Sequence, residues 1–115
     1  LGATVNDETI NKLKAKVIAG AANNQLANDA VHGQILKDKG IVYAPDFLIN
    51  AGGIINVYAE IAGYDMAESM RRTENIYNTT LEIFDYAVKH SLTPQKAAMA
   101  IADERIAQRK KENAK

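Results

Sequence analysis

The sequence predicts an α/β fold: one strand–helix–strand unit followed by three helices. Two short β-branched segments, at 15–21 and 41–44, have the composition of strands. The helical segment between them supplies the length that a parallel connection requires. From Asn50 onward the apolar residues recur at helical spacing. A chain of 115 residues forms roughly one domain, so we expect a helix-rich α/β unit.

The first half of the chain contains the strand–helix–strand unit. The predicted elements are a helix at 7–14, a buried strand at 15–21, a helix at 29–39 and a strand at 41–44. Gly20 marks the end of the first strand and Gly40 the end of the helix. Pro45 ends the second strand because proline has no backbone N–H to donate to the neighbouring strand. Two strands are too few for a stable sheet, which indicates that further strands lie outside this chain or that another copy supplies them.

The second half is predicted to be helical. The expected helices are one ending near 62, a long one at 66–90 and a last one that begins at Pro94 and frays from about 109. Asp65 followed by Glu68 forms a capping-box-like start for the long helix. Thr93 before Pro94 is typical of a helix N-terminus.

Composition argues against several classes of function. The chain has 14 Lys and Arg, 14 Asp and Glu and no Cys, so thiol chemistry is excluded and no net charge attracts nucleic acid. No apolar run reaches the roughly 18 to 20 residues of a membrane span. We therefore expect a cytoplasmic protein without a nucleic-acid or membrane partner. No metal-ligand cluster, nucleophile set or phosphate-binding glycine motif occurs in the sequence.

Two amide-bearing segments are the candidate functional residues. Asn23 follows the first predicted strand and Asn50 follows the second. The carboxyl ends of parallel strands share one edge of a sheet, where ligands bind. An amide group suits ribose hydroxyls or a carboxamide. Alternatively, both residues are only turn formers, and Asn50 only caps the helix it opens.

At these same segments the chain resembles a known family. The chain is similar to the C-terminal part of a Glu/Leu/Phe/Val dehydrogenase, most closely leucine dehydrogenase. The similarity lies mainly in residues 14–26 and 40–57, and residues 1–10 and 102–106 also fit. The resemblance implies NAD-dependent oxidative deamination of an L-amino acid to a 2-oxo acid and ammonia. It also implies a homo-oligomer.

The resemblance further implies that the chain is a fragment. Residues 1–50 would be the second half of a Rossmann-like NAD-binding domain, and 51–115 a helical segment packing on the cleft and on that domain. The N-terminal substrate domain, the pyrophosphate-binding glycines and the catalytic residues would lie upstream. This chain would contain no catalytic residue, and alone it would be inactive.

The resemblance assigns binding residues one by one. Ala22 and Asn23 match the loop beside the nicotinamide ribose, and Asn50 matches a residue near both nicotinamide and substrate. Thr80 and Ile83 match positions that line the substrate side-chain pocket. Thr80 is more polar than the aliphatic residue expected there, so a leucine-like substrate is the first expectation, with valine-type and aromatic substrates left open.

A different class of function is compatible with the residue pattern alone. The apolar stripe between Met66 and Val88 fits a helical self-association module without enzymatic activity. In that case the asparagines would be caps and nothing more.

Overall fold

A short parallel sheet lies in the first half of the molecule. The structure is a computed structural model and describes residues 1–114. Strand β1 (Val17–Ile18) pairs in parallel with β2 (Val42–Tyr43), with Val17 opposite Val42. Helix α1 (Asp29–Asp38) connects them. The predicted strand–helix–strand order is thereby confirmed.

Five further helices follow the sheet in the described part of the chain. They are α2 (Asp46–Ile49), α3 (Gly52–Ala62), α4 (Met66–Glu74), α5 (Ile76–Lys89) and α6 (Pro94–Asn113). Local capping explains several of their starts. The Asp65 side chain accepts from the Glu68 N–H, and the Thr93 side chain accepts from the Lys96 N–H, as their sequence positions predict. The predicted α/β class, with helices following the βαβ unit, is confirmed.

Several predicted boundaries in the first half are wrong. The helix predicted at 7–14 is only a 3₁₀ turn at Ile10–Lys12. The side-chain oxygen of Asn6 does accept from the backbone N–H groups of Glu8 and Thr9, as in a helix cap, but the turn ends at Leu13, which is extended. The strand predicted at 15–21 shortens to two residues, and Val17 is 59% exposed instead of buried.

The long helix predicted at 66–90 is two helices that meet at Asn75. Asn75 is both the last cap of α4 and the first cap of α5. Hydroxyl groups on both sides bond to carbonyls one turn back: Thr73 Oγ1 to the Ser69 oxygen at 2.9 Å and Thr79 Oγ1 to the Asn75 oxygen at 3.2 Å. Such bonds slightly weaken and often bend helices, and they flank the break. The last helix, by contrast, continues to Asn113 and does not fray at 109.

Two apolar clusters hold the chain together. The sheet cluster comprises Val5, Ile10, Leu26, Leu36 and Tyr43. The helical cluster comprises Leu48, Ile83, Ala87, Ala97, Ala98 and Ile101. Because Leu48 lies in α2, this short helix joins the end of β2 to the helical cluster. Helix α3 instead has no buried residue, and Ile54 and Ile61 on it are largely exposed.

Candidate functional site

The loops that follow the two strands meet through an asparagine pair. Asn50 Nδ2 donates to Asn23 Oδ1 at 2.5 Å and lies 3.5 Å from the Ala21 carbonyl oxygen. These residues are separated by more than 25 positions in sequence, yet parallel pairing of β1 and β2 brings their carboxyl ends together. The predicted juxtaposition of the two amide-bearing segments is observed.

Asn50 does not cap the helix that follows it. It is the residue after α2, and Ala51, which precedes α3, makes no side-chain capping bond. The Asn50 side chain instead reaches across to the loop after β1. The expectation that Asn50 serves only as a helix cap is therefore wrong.

A buried carboxylate fixes the same loop from a second side. Asp46 Oδ2 accepts from the Asn24 backbone N–H at 2.5 Å, and only 7% of Asp46 is exposed. Asn24 has a φ of 54°, in the left-handed region that asparagine tolerates better than most residues. We call Ala22, Asn23, Asp46 and Asn50 the strand-end cluster.

Tyr43 supports Asp46 from within the sheet cluster. Its hydroxyl lies 3.4 Å from Asp46 Oδ1. Burial, and then the neighbouring Asp46 carboxylate, raise the pKa of Tyr43 to about 12. The phenol consequently stays protonated and uncharged at neutral pH. Asp46 is not among the binding residues predicted from the sequence; its position after Pro45 at the end of a strand was the available signal.

The loop after β1 has features that suit a flat, polar ligand. A Cβ atom at Gly20 would collide with the Gln25 side-chain amide, so a larger residue there would require that amide to move. Gln25 is buried, and within residues 1–114 its Oε1 has no hydrogen-bond partner. Asn23 is exposed and Ala22 and Asn50 are half-buried. Uncharged amides beside small residues fit a ribose or carboxamide group.

The two predicted pocket residues lie on α5, apart from the strand-end cluster. Thr80 is half-buried and its Oγ1 donates to the Ile76 carbonyl at 2.7 Å. Ile83 is 3% exposed and belongs to the helical cluster. Among the described residues, neither is hydrogen-bonded to Asn23 or Asn50. Helix α5 does pack against α2, which carries Leu48 into the same cluster as Ile83.

Two features that bear on the class of ligand are absent from the described residues. Residues 1–114 contain no group of three or more His, Cys, Asp or Glu side chains placed to hold a metal ion. None of the helices in this range combines the length and the apolar character needed to cross a bilayer.

Comparison with known proteins agrees with this architecture. The chain is 49% identical over 115 residues to an L-tryptophan dehydrogenase of Nostoc punctiforme and 53% identical over 107 residues to a leucine dehydrogenase of Bacillus cereus. These matches cover 100% and 93% of the chain. A phenylalanine dehydrogenase of Caldalkalibacillus thermarum is 43% identical over 98% of the chain. The crystal structure of the Nostoc punctiforme enzyme superposes with a TM-score of 0.93 over 96% of the chain and 33% of that enzyme.

The fold and the site define an α/β protein with polar groups gathered where its parallel strands end. The family model of Glutamate/Leucine/Phenylalanine/Valine dehydrogenase matches residues 1–114, and the chain belongs to this family of amino-acid dehydrogenases. It spans about a third of the length of the relatives it matches, 29 to 33%. Family membership favours the dehydrogenase interpretation over a helical self-association module.

Proposed function

We propose that the complete protein is an NAD-dependent amino-acid dehydrogenase and that this chain supplies part of its cofactor site. The reaction would be the reversible oxidative deamination of an aliphatic, leucine-like L-amino acid to a 2-oxo acid and ammonia. The catalytic acid and base would lie in the remaining two thirds of the protein. This chain alone would be inactive.

The observation that carries the proposal is the hydrogen bond from Asn50 to Asn23. It joins the loops after two neighbouring parallel strands, at the edge where ligands of parallel sheets bind. Membership of the dehydrogenase family supports reading this edge as a cofactor site.

The residues of this chain would bind and orient. When bound, NAD supplies the ring that accepts the hydride. The Asn23 amide, whose oxygen is engaged by Asn50, presents its nitrogen as a donor to ribose hydroxyls. Ala22 has no side chain beyond Cβ and permits close approach, and Asn50 would contact both the nicotinamide end and the amino-acid substrate. Holding the two reactants in register is a large part of what such a site contributes to the rate.

The substrate side chain would lie against α5, where Thr80 and Ile83 are the proposed pocket residues. An apolar pocket separates substrates that differ by one methylene by only about 1 to 3 kcal/mol, so small changes there alter preference. An aromatic amino acid is the second candidate. Similarity to an L-tryptophan dehydrogenase extends over the whole chain, and Thr80 adds a polar group at the proposed pocket.

Two further expectations follow from the resemblance to leucine dehydrogenase. The complete protein would be a cytoplasmic homo-oligomer. The exposed Ile54 and Ile61 on α3 and Met66 on α4 supply apolar surface that contacts with the missing substrate domain would cover.

The test is reduction of NAD by the full-length gene product with a panel of L-amino acids. We expect leucine and valine to give a higher kcat/KM than phenylalanine and tryptophan, as an apolar pocket for an aliphatic side chain predicts. A parallel panel with NADP measures the cofactor preference. No reduction with any amino acid would overturn the proposal, and tryptophan as the best substrate would replace the aliphatic assignment by the aromatic one.

A further inference from the structure

Side chains at the two ends of helix α2 bond to adjacent residues of the loop after β1. Asp46 at its first position binds the Asn24 backbone, and Asn50, just after its last position, binds the Asn23 side chain. The family resemblance accounts for Asn50 but assigns nothing to Asp46. Because both ends of this short helix are hydrogen-bonded to the loop after β1, the helix fixes the position of that loop.

The hydrogen bond from the Asn24 backbone N–H to Asp46 is charge-assisted. The Asp46 carboxylate, on a residue only 7% exposed, accepts the backbone N–H of the exposed Asn24, and a charged acceptor strengthens the bond. The bonded residue, Asn24, has a left-handed conformation that needs support from its surroundings. Asn24 also accepts from the Ala3 N–H through its carbonyl, and Asn23 is bonded to Asn50, so loss of the carboxylate would loosen these two residues without freeing them.

We propose that Asp46 is a positioning residue that holds Asn23 and Ala22 in place for the cofactor without itself touching the reacting atoms. This inference rests on the proposed function, because it assumes that the loop carries NAD. It predicts a selective effect: binding of the cofactor depends on Asp46, while binding of the amino acid depends on it much less.

The test uses the full-length enzyme and three substitutions at one position. Asp46→Ala removes the acceptor, and we expect the KM for NAD to rise about tenfold, as for loss of one charge-assisted hydrogen bond, with the amino-acid KM within about twofold. Asp46→Asn keeps an oxygen that can accept from Asn24 and should restore most of the cofactor affinity. Asp46→Glu keeps the charge but displaces the carboxylate, so it should also raise the KM for NAD. This second variant provides the test if Asp46→Ala fails to fold.

Thr93→Ala is the matched control. Thr93 is also buried and also accepts a backbone N–H, that of Lys96, but it caps α6. This variant should lose thermal stability with both KM values unchanged. Equal rises in both KM values for the Asp46 variants, or no change in the KM for NAD, would overturn the positioning role. An inactive wild-type enzyme would instead overturn the proposed function, and the inference with it.

Discussion

Replacement of Asn50 by alanine separates a structural role of this side chain from a functional one. The substitution removes the hydrogen bond to Asn23 Oδ1. Since Asn23 is exposed, water can take the place of the lost donor, and the cost in folding free energy should stay near 1 kcal/mol or below. If the Asn23 oxygen were instead buried and left without a donor, the loss of folding free energy would be larger.

The effect on catalysis should be larger than the effect on stability. If Asn50 orients both the cofactor and the amino acid, its loss should reduce kcat/KM by about 10- to 100-fold, which corresponds to about 1.4 to 2.7 kcal/mol of transition-state stabilisation. The assay is steady-state kinetics of the full-length enzyme with the preferred amino acid, with thermal unfolding measured on the same samples.

Asn78→Ala is the matched control for this experiment. Asn78 Nδ2 donates to Asn75 Oδ1 at 3.0 Å, so the same kind of exposed amide pair is lost, but on α5. We expect kcat/KM close to wild type for this variant. Catalytic efficiency of Asn50→Ala within twofold of wild type, or an equal loss in Asn78→Ala, would refute the reasoning.

The remaining predictions concern the pocket and two titrating groups. Thr80→Val should favour aliphatic over aromatic amino acids in kcat/KM, and an unchanged substrate ranking would contradict this. Ile83→Val, at the other proposed pocket position, should also alter the ranking, and because the side chain is 3% exposed it should lower stability by about 0.5 to 1.5 kcal/mol. An unchanged ranking in this variant would remove Ile83 from the pocket, and an unchanged melting temperature would contradict its packing role. Tyr43 has a folded pKa of about 12 against an ordinary 10.0, so its contribution of about 2 to 3 kcal/mol should be complete below pH 10 and lost as pH rises through 12. The difference in phenolate absorbance between wild type and Tyr43→Phe should show a midpoint near pH 12, and a midpoint near 10 would exclude the raised pKa. Hydrogen bonds from Arg71, and then Arg72, lower the pKa of Glu68 to about 2 from 4.5, so its stabilising contribution should be complete above pH 4.5 and lost as pH falls through 2. Glu68→Gln should remove that acid dependence of the melting temperature, and persistence of the dependence in this variant would assign it to other groups.

Local features were predictable because their causes lie within a few residues. Caps at Asp65 and Thr93 lie three residues from the N–H groups they bind, so their sequence positions indicate the helix starts. The break at Asn75 was missed because the apolar pattern continues through it and residues 66–90 contain no Gly or Pro to mark a helix end.

The candidate site was only partly predictable for a different reason. Parallel pairing predicts that Asn23 and Asn50 share an edge, but not that one side chain donates to the other. The role of Asp46 depends on a bond to Asn24, 22 residues away, and on burial that arises only in the folded chain. Neither the composition nor the periodicity of the sequence contains that information.

The central claim is that the loop after β1, held by α2, binds the nicotinamide cofactor. Calorimetric titration of the full-length protein with NADH tests it most directly. We expect one saturable site per chain and a loss of affinity of about tenfold in Asn23→Ala, as for one hydrogen bond to a ribose hydroxyl. Absence of binding in the wild type, or equal affinity in Asn23→Ala, would contradict the claim.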